Sequence, residues 1–267
     1  MLIVGELINA SRKSVAAAIE ARDSEAVGRL ASDQVAAGAR YVDVNAGTFQ
    51  DREAELMPWL VETVQNAAHS PCSLDSPNPS AIEAAWAVHQ GAPMINSISL
   101  EKERYDTLLP LIRGAACRVV ALCMSDEGMP ETRDQRMRIA ERLIQGLTQA
   151  GIALEDIFLD PLVQPVATNT QYGVEFLEAV ERIMKTWPGV HTLCGMSNVS
   201  YGLPNRGFIN ETFLAMAVAR GLDGAILNPL DGRAMARLVA AEMLIGRDAF
   251  CGDYLKAHRA GKFDGVA

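Results

Sequence analysis

The sequence predicts a closed (β/α)8 barrel, and three observations point to that fold class. Eight short apolar runs alternate with eight segments of helical periodicity along the chain. A length of 267 residues is ordinary for one such barrel. An open dinucleotide-binding sheet has a GxGxxG loop after its first strand. Here the first apolar run is followed instead by Gly5-Glu6-Leu7-Ile8-Asn9-Ala10-Ser11.

The apolar runs are short and are bounded by polar and turn residues, which is typical of buried parallel strands. In chain order they predict strands at 2–5, 40–44, 72–75, 93–96, 118–123, 156–160, 191–195 and 223–227.

Between these runs the apolar residues recur at the three- and four-residue spacing of amphipathic helices. The predicted helices are 24–37, 51–68, 80–90, 101–114, 133–150, 171–186, 209–220 and 231–245. A glycine follows five of these helical patterns, where a left-handed residue commonly ends a helix. These glycines are Gly38, Gly91, Gly114, Gly151 and Gly221.

The chain shows no linker, no low-complexity segment and no shift in composition that would mark a domain boundary. We therefore expect residues 1–267 to form a single barrel domain. Residues 248–267 form a C-terminal extension in this interpretation, with a short helix at 253–260.

Composition excludes several classes of partner. Hydrophobic residues make up 49% of the chain, a normal share for a globular protein, and the formal net charge is −9. Such acidity argues against a nucleic-acid backbone as the main partner. The longest apolar stretches are far shorter than the ~20 residues of a membrane span. The chain starts with a strand pattern and has no basic leader region, so we expect a cytoplasmic protein.

Cysteine and histidine usage predicts no metal site. The five cysteines are an odd number without CxxC spacing, which favours buried free thiols in a reducing compartment. They are Cys72, Cys117, Cys123, Cys194 and Cys251. The four histidines, His69, His89, His191 and His258, are scattered along the chain.

Several predicted strands end in an acid or an amide. Asp75, Asn96 and Asp160 close three of the runs, and Asn198 follows the seventh. Because parallel strands place ligands at their carboxyl edge, we expect these side chains to converge on one pocket. A pocket of carboxylates and amides suits a neutral heterocycle rich in hydrogen-bond donors better than a phosphate. The alternative interpretation is that each acid caps the helix that follows it.

Asp160 is the strongest candidate for ring recognition. A carboxylate accepts two parallel hydrogen bonds, and a 2-amino-4-oxo-pyrimidine edge presents two such donors. Asn96 offers both a donor and an acceptor, and Asp75 accepts another N–H. Together these three side chains predict recognition of a pterin-like ring, with a cost of about 1–3 kcal/mol for each group left unpaired in a dry pocket.

Asn198 and Arg206 have different predicted roles. An amide that can either donate or accept stabilises positive charge on a ring nitrogen as a carbon–nitrogen bond breaks. Alternatively, Asn198 only orders the loop 199–208. Arg206, in that loop, either orients an acid or binds a ligand carboxylate, or it is an ordinary exposed arginine.

The ordered set of these motifs resembles the methyltetrahydrofolate:corrinoid methyltransferases over nearly the whole chain. The motifs are residues 1–9, Ser73-Leu74-Asp75-Ser76, Met94-Ile95-Asn96-Ser97, Leu159-Asp160-Pro161-Leu162, residues 195–200, Asn205-Arg206 and residues 209–217. Single motifs are weak signals, whereas their order is specific. The same family resembles the pterin-binding barrels of methionine synthase and, more distantly, of dihydropteroate synthase.

The resemblance implies a pterin-binding TIM barrel, usually homodimeric, that binds tetrahydrofolate or methyltetrahydrofolate in its mouth. It implies that Asp75, Asn96 and Asp160 hold the pterin, that Gly195 and Ser197 line it, and that Asn198 faces the methyl-bearing N5. It also implies that the methyl group passes to or from the cobalt of a corrinoid (cobalamin) carried by a separate protein. One departure is Leu7, where the family often has arginine.

Three alternatives stay open at this stage. Dihydropteroate synthase chemistry needs a lysine after the seventh strand and Arg-x-His in the eighth, but the eighth run here ends in Leu227-Asn228-Pro229. A methyltransferase that carries its own zinc or cobalamin needs ligand motifs that this sequence lacks. A non-catalytic folate-binding component of a methyl-transfer complex would use the same pocket.

We also expect loops 199–208 and 161–171 to bind the corrinoid protein.

Overall fold

The computed structural model describes residues 1–265 of the chain. Its eight strands are β1 (Leu2–Asn9), β2 (Tyr41–Asn45), β3 (Cys72–Asp75), β4 (Met94–Leu100), β5 (Arg118–Ser125), β6 (Ile157–Asp160), β7 (His191–Thr192) and β8 (Gly224–Leu227). Its helices are α1 (Lys13–Glu20), α2 (Ser24–Ala37), α3 (Glu53–Ala68), α4 (Pro79–Val88), α5 (Lys102–Ile112), α6 (Arg133–Gln149), α7 (Tyr172–Thr186), α8 (Arg206–Ala219), α9 (Gly232–Leu244) and α10 (Gly252–Arg259).

Parallel pairing joins the strands in the order β7-β6-β5-β4-β3-β2-β1-β8. The segment after β7 then returns to β8, where Gly195 pairs with Ile226 and the Ile226 N–H donates to the Cys194 carbonyl at 2.9 Å. This contact brings the two ends of the sheet together. The predicted (β/α)8 barrel is therefore confirmed.

An apolar cluster fills the inside of the barrel. Its members are Val4, Tyr41, Met94, Val120, Phe158 and Leu193, with Leu2 and Ile226 packed against them. Side chains alternate between the two faces of a strand. The residue two positions after each of these cluster members therefore also faces the interior, nearer the carboxyl end of its strand. The interior positions at the mouth are Glu6, Asp43, Asp75, Asn96, Leu122, Asp160, Gly195 and Asn228.

The first, fourth and seventh strands differ from their predicted lengths. β1 continues past Gly5 to Asn9, with a shift in its pairing to β2 between Gly5 and Ile8. The polar Glu6 interrupts the apolar run, so the sequence pattern ended the strand too early. β4 continues past Asn96 to Leu100 with irregular pairing to β5, so Asn96 lies inside its strand and not at its end. β7 is shorter than predicted because residues 193–195 turn from β6 toward β8 and the 3-10 helix Met196–Ser200 begins at once.

A further helix, α1, lies between β1 and α2 and was not predicted. Its Val15 and Ile19 are buried, but eight residues give too short a pattern to stand out in the sequence. The five glycines predicted at helix ends all have positive φ, as at Gly38, where φ is 119°.

The predicted short helix of the C-terminal extension is present as α10. A single domain over 1–267 with an extension from 248 stays a prediction, and its last two residues lie outside the described range. Within the described part of the chain, no helix is both long enough and apolar enough to cross a membrane.

Candidate functional site

Asp75 and Asn96 lie side by side at the carboxyl edge of the sheet. They are direct register partners on β3 and β4. Both line a cavity of about 740 Å³ that also exposes Leu122, Glu101 and Asp126. The structure thus brings two of the predicted recognition residues into one recess at the mouth.

Asp43 and Asn45 on β2 complete this side of the mouth. The Asn45 amide donates to Asp75 Oδ2 at 2.9 Å. Asp43 Oδ1 accepts from Ser73 Oγ at 2.6 Å and from Asn96 Nδ2 at 3.2 Å. These bonds fix the orientation of the Asn96 amide and of the Asp75 carboxylate. None of them uses Asn96 Oδ1, which a ligand can therefore contact.

Burial controls the charge of these two acids. Asp43 is 3% exposed. Burial, followed by repulsion from Asp75, raises the pKa of Asp43 well above its usual range. Burial also raises the pKa of Asp75, although hydrogen bonds from Asn45 and Asp43 and the charge of Arg104 oppose that shift. The pair therefore holds a proton at pH values where ordinary aspartates are ionised.

Asp160 stands at the end of β6, on the far side of β5 from Asn96. Its register partner on β5 is Leu122, which lines the cavity next to Asp75 and Asn96. Its Oδ1 accepts the Leu162 N–H at 2.7 Å. Burial raises its pKa to about 7, against opposing effects of that hydrogen bond and of the Arg136 charge. Asp160 is at the predicted edge, but it does not line the same recess as Asp75.

The arginines near the mouth already donate to protein acceptors. Arg104 donates from Nε to the Ser97 carbonyl at 2.8 Å and from Nη2 to the Ser76 carbonyl at 2.7 Å. Arg12 pairs with Glu6 at 3.0 Å. These arginines hold loops and an acid, so the mouth favours polar neutral groups over a diphosphate.

Asn198, Ser197 and Gly195 lie across the mouth from Asp75. Asn198 is exposed on the 3-10 helix that follows β7. A Cβ atom built on Gly195 would lie 3.9 Å from the Asn198 amide nitrogen, so that amide folds back over the end of the seventh strand. Ser197 lines a second cavity of about 230 Å³ together with Glu6 and Asn228.

Arg206 supports the loop that carries Asn198. Its Nη2 donates to the Ser197 carbonyl at 2.6 Å and its Nε to Ser200 Oγ at 2.9 Å. The guanidinium also lies over the Tyr201 ring, 6.0 Å from the ring centroid. These contacts give the exposed arginine a role that the sequence did not predict, which is to hold residues 197–201 in place.

Sequence reasoning missed Asp43, Asn45 and Glu6 as members of the mouth. A signal was present, because Asp43 and Asn45 share the interior face of β2 with the buried Tyr41. Asp43 lies inside its strand, where the residues at strand ends do not reveal it. Asn45 ends its apolar run and carried the same signal as Asp75. Burial raises the pKa of Glu6 as well, with Arg12 and Arg206 opposing the shift.

The described residues contain no group of three or more histidine, cysteine or acidic side chains placed to hold a metal ion. Four of the five free cysteines are buried, and Cys251 is exposed. One side of the mouth carries acids and an amide that can hydrogen-bond to a donor-rich ring, and the opposite side carries an exposed amide. That arrangement can bind a flat heterocycle and contact one of its ring nitrogens.

Comparison with known proteins gives a consistent result. A family model described as pterin binding enzyme matches residues 5–228. The chain is 32% identical over 268 residues to a methylcorrinoid:tetrahydrofolate methyltransferase from Eubacterium limosum, with 100% of this chain and 99% of that protein aligned.

Two further proteins match this chain, one in sequence and one in structure. The chain is 30% identical over 241 residues to the methionine synthase of Mycobacterium tuberculosis, and the alignment covers 85% of this chain and 20% of that enzyme. It spans only about a fifth of that relative. The structure of dihydropteroate synthase from Coxiella burnetii in complex with pteroic acid matches with a TM-score of 0.72 at 20% identity, over 92% of this chain and 94% of that one. At this identity the structural likeness shows the fold alone.

Proposed function

The chain belongs to the family of pterin-binding enzymes, and from that premise we propose that it transfers a methyl group between N5 of tetrahydrofolate and the cobalt of a corrinoid. The observation that carries the proposal is the set of acids and amides at the mouth, Asp75, Asn96 and Asp160, opposite an exposed amide, Asn198. Similarity to the methylcorrinoid:tetrahydrofolate methyltransferase over the full chain supports the same reaction.

The acidic side of the mouth recognises the pterin. Asp160 accepts the ring N–H and the 2-amino group through its carboxylate, of which one oxygen also accepts the Leu162 N–H. Asp75 and Asn96 pair with the remaining polar edge, in orientations that Asn45 and Asp43 hold. Gly195 and Ser197 line the ring in this proposal, where the absence of a side chain at Gly195 leaves room.

Asn198 serves the reacting nitrogen. Toward folate, the N5 lone pair bonds to the methyl carbon while the cobalt–carbon bond breaks. Both electrons of that bond stay with the metal, which goes from Co(III) to Co(I), and N5 releases its proton to solvent. The Asn198 amide accepts from N5–H before this step and donates to an unprotonated N5 after rotating. It therefore stabilises both protonation states without taking the proton itself.

The corrinoid is a substrate that a separate protein brings to the mouth. It supplies the cobalt that accepts or donates the methyl group. Loops 199–208 and 161–171 flank the mouth and are the proposed docking surface, where the Tyr201 side chain is 68% exposed. Arg206 holds this loop through the Ser197 carbonyl and thereby sets the position of Asn198. A homodimeric state, which the family resemblance implies, and a cytoplasmic location, which the free cysteines favour, belong to the same proposal.

Dihydropteroate synthase shares the fold but fits the mouth less well. That reaction joins a pterin diphosphate to an aromatic amine and needs cations for the diphosphate. Arg104 and Arg12 already serve protein carbonyls and Glu6. The acids and amides of the mouth therefore favour methyl transfer over dihydropteroate synthesis.

Folate affinity should fall as the pH falls through about 7. The pKa of Asp160 is raised to about 7, so below that pH the side chain carries a proton and no longer offers two acceptors to the pterin. Calorimetric titration with methyltetrahydrofolate between about pH 5.5 and 8.5 should show up to a tenfold loss of affinity for each pH unit on the acidic side. A flat profile in the wild-type protein would contradict the role of Asp160.

A further inference from the structure

Arg136 is a buried arginine in the wall of the barrel that the proposed function does not use. It lies on α6, and its exposure is 0%. Burying a guanidinium is costly unless hydrogen bonds and nearby charge compensate. Within residues 1–265 its hydrogen bonds go to backbone carbonyls and not to a carboxylate. A guanidinium buried among backbone carbonyls indicates that Arg136 has a specific structural or functional role.

The carbonyls that Arg136 holds belong to the turn after β6. Its Nε donates to the Pro161 carbonyl at 2.7 Å and its Nη2 to the Leu162 carbonyl at 3.2 Å. Its Nη1 is buried and has no hydrogen-bond partner among the described residues. The planar fork of the guanidinium therefore fixes two consecutive peptide groups of one turn.

That turn is the one that orients Asp160. Leu162 has a left-handed backbone with φ of 69°, which is uncommon for a leucine and persists where surrounding contacts hold it. In this conformation the Leu162 N–H points at Asp160 Oδ1, at 2.7 Å. A continuous chain of hydrogen bonds thus runs from Arg136 through the turn to the Asp160 carboxylate.

Among the described groups that face Asp160, Arg136 supplies the positive charge. On β5 and after β7 the facing groups are the Cys123 and Cys194 thiols, whose pKa values burial raises, so that they stay neutral. From α6 the Arg136 charge acts on Asp160 and favours the ionised form. Burial lowers the pKa of Arg136, and Glu175 and Tyr172 on α7 oppose that shift by stabilising its positive charge.

We propose that Arg136 is a positioning residue of the pterin site, which fixes the Pro161–Leu162 turn and thereby holds Asp160 in place as a carboxylate. It does not touch the ligand. The proposal rests on the proposed function only where it names the pterin as the ligand of Asp160.

The test follows Asp160 directly, without folate. In protein labelled with ¹³C at the aspartate carboxyl carbons, NMR titration gives the ionisation midpoint of Asp160, whose signal is the one lost in Asp160→Asn. In Arg136→Gln, which removes the charge and keeps an amide donor, we expect this midpoint to rise by about one pH unit or more. In Arg136→Lys, which keeps the charge, we expect a midpoint near that of the wild type. An unchanged midpoint in folded Arg136→Gln would overturn the proposal.

Two comparisons isolate the effect. Arg138→Gln removes the same charge from an exposed position on the same helix and should leave the Asp160 midpoint unchanged. Folate titration at pH 7 should show about tenfold weaker binding for Arg136→Gln, and no further loss when the change is added to Asp160→Asn. A wild-type protein that binds no folate would defeat the proposed function, while the NMR midpoint would still decide the role of Arg136.

Discussion

Replacing Asp160 by asparagine should weaken folate binding by about 100-fold or more at pH 8. The amide leaves one acceptor where the carboxylate offered two, and its NH₂ group would face an N–H of the pterin. Hydrogen bonds to charged groups contribute about 1.5–3 kcal/mol each, and about 1.4 kcal/mol corresponds to a factor of ten in affinity. Calorimetric titration of the variant with methyltetrahydrofolate gives the ratio directly.

The same substitution should make the folded protein more stable relative to the wild type as the pH rises. Asp160 binds its proton more tightly in the folded chain than in the unfolded one, since its pKa rises from 3.8 to about 7 on folding. Wild-type stability therefore falls as the pH rises between these values, whereas the asparagine variant escapes this loss. The thermal midpoint of the variant relative to the wild type should increase from about pH 4 to pH 8. Asp156→Asn makes the same chemical change just before β6 and is the matched control for the binding prediction. It should leave folate affinity unchanged.

Replacing Asn198 by alanine should lower methyl transfer by about 100- to 1,000-fold while folate still binds within about tenfold of the wild type. The loss of a single preorganised group that stabilises developing charge typically has an effect of this size on turnover. The binding loss is small because Asp75, Asn96 and Asp160 still recognise the ring. Single-turnover kinetics at saturating folate separate the two effects.

Asn205→Gly provides the control on the same loop. Asn205 has a left-handed backbone with φ of 51°, which glycine adopts readily, so the change removes an amide without straining the chain. With free methylcobalamin as the methyl donor, which requires no docked corrinoid protein, this variant should transfer methyl groups at close to the wild-type rate. If Asn198→Ala kept the wild-type rate as well, Asn198 would have only the structural role of ordering its loop.

Much of the barrel was predictable because its strands are short apolar runs that alternate with helices ending in glycine. The acidic edge was predictable for the same reason, since Asp75 and Asp160 each end a strand and Asn96 ends the apolar part of β4. β1 shows where this reasoning stops. Its polar Glu6 faces the barrel mouth and interrupts the apolar pattern, so the strand continues where the sequence suggests a loop.

The parts that were missed depend on contacts between distant residues. Asp43 is a polar residue within a strand, and only its bonds to Ser73 and Asn96 reveal its place in the site. Arg136 is one of several arginines on a strongly polar helix and looks like a solvated charge until the fold buries it against the β6 turn. Periodicity describes one element at a time and therefore cannot reveal such pairings.

The most direct test of the account is methyl transfer itself. Under anaerobic conditions, the purified protein is mixed with methylcobalamin and tetrahydrofolate, and the cobalamin spectrum and methyltetrahydrofolate are followed together. We expect cob(I)alamin and methyltetrahydrofolate to form in equal amounts, with little product from Asp160→Asn or Asn198→Ala. Tight folate binding by the wild type with no methyl transfer above the protein-free rate would contradict it, and would instead identify a folate-binding component without catalytic activity.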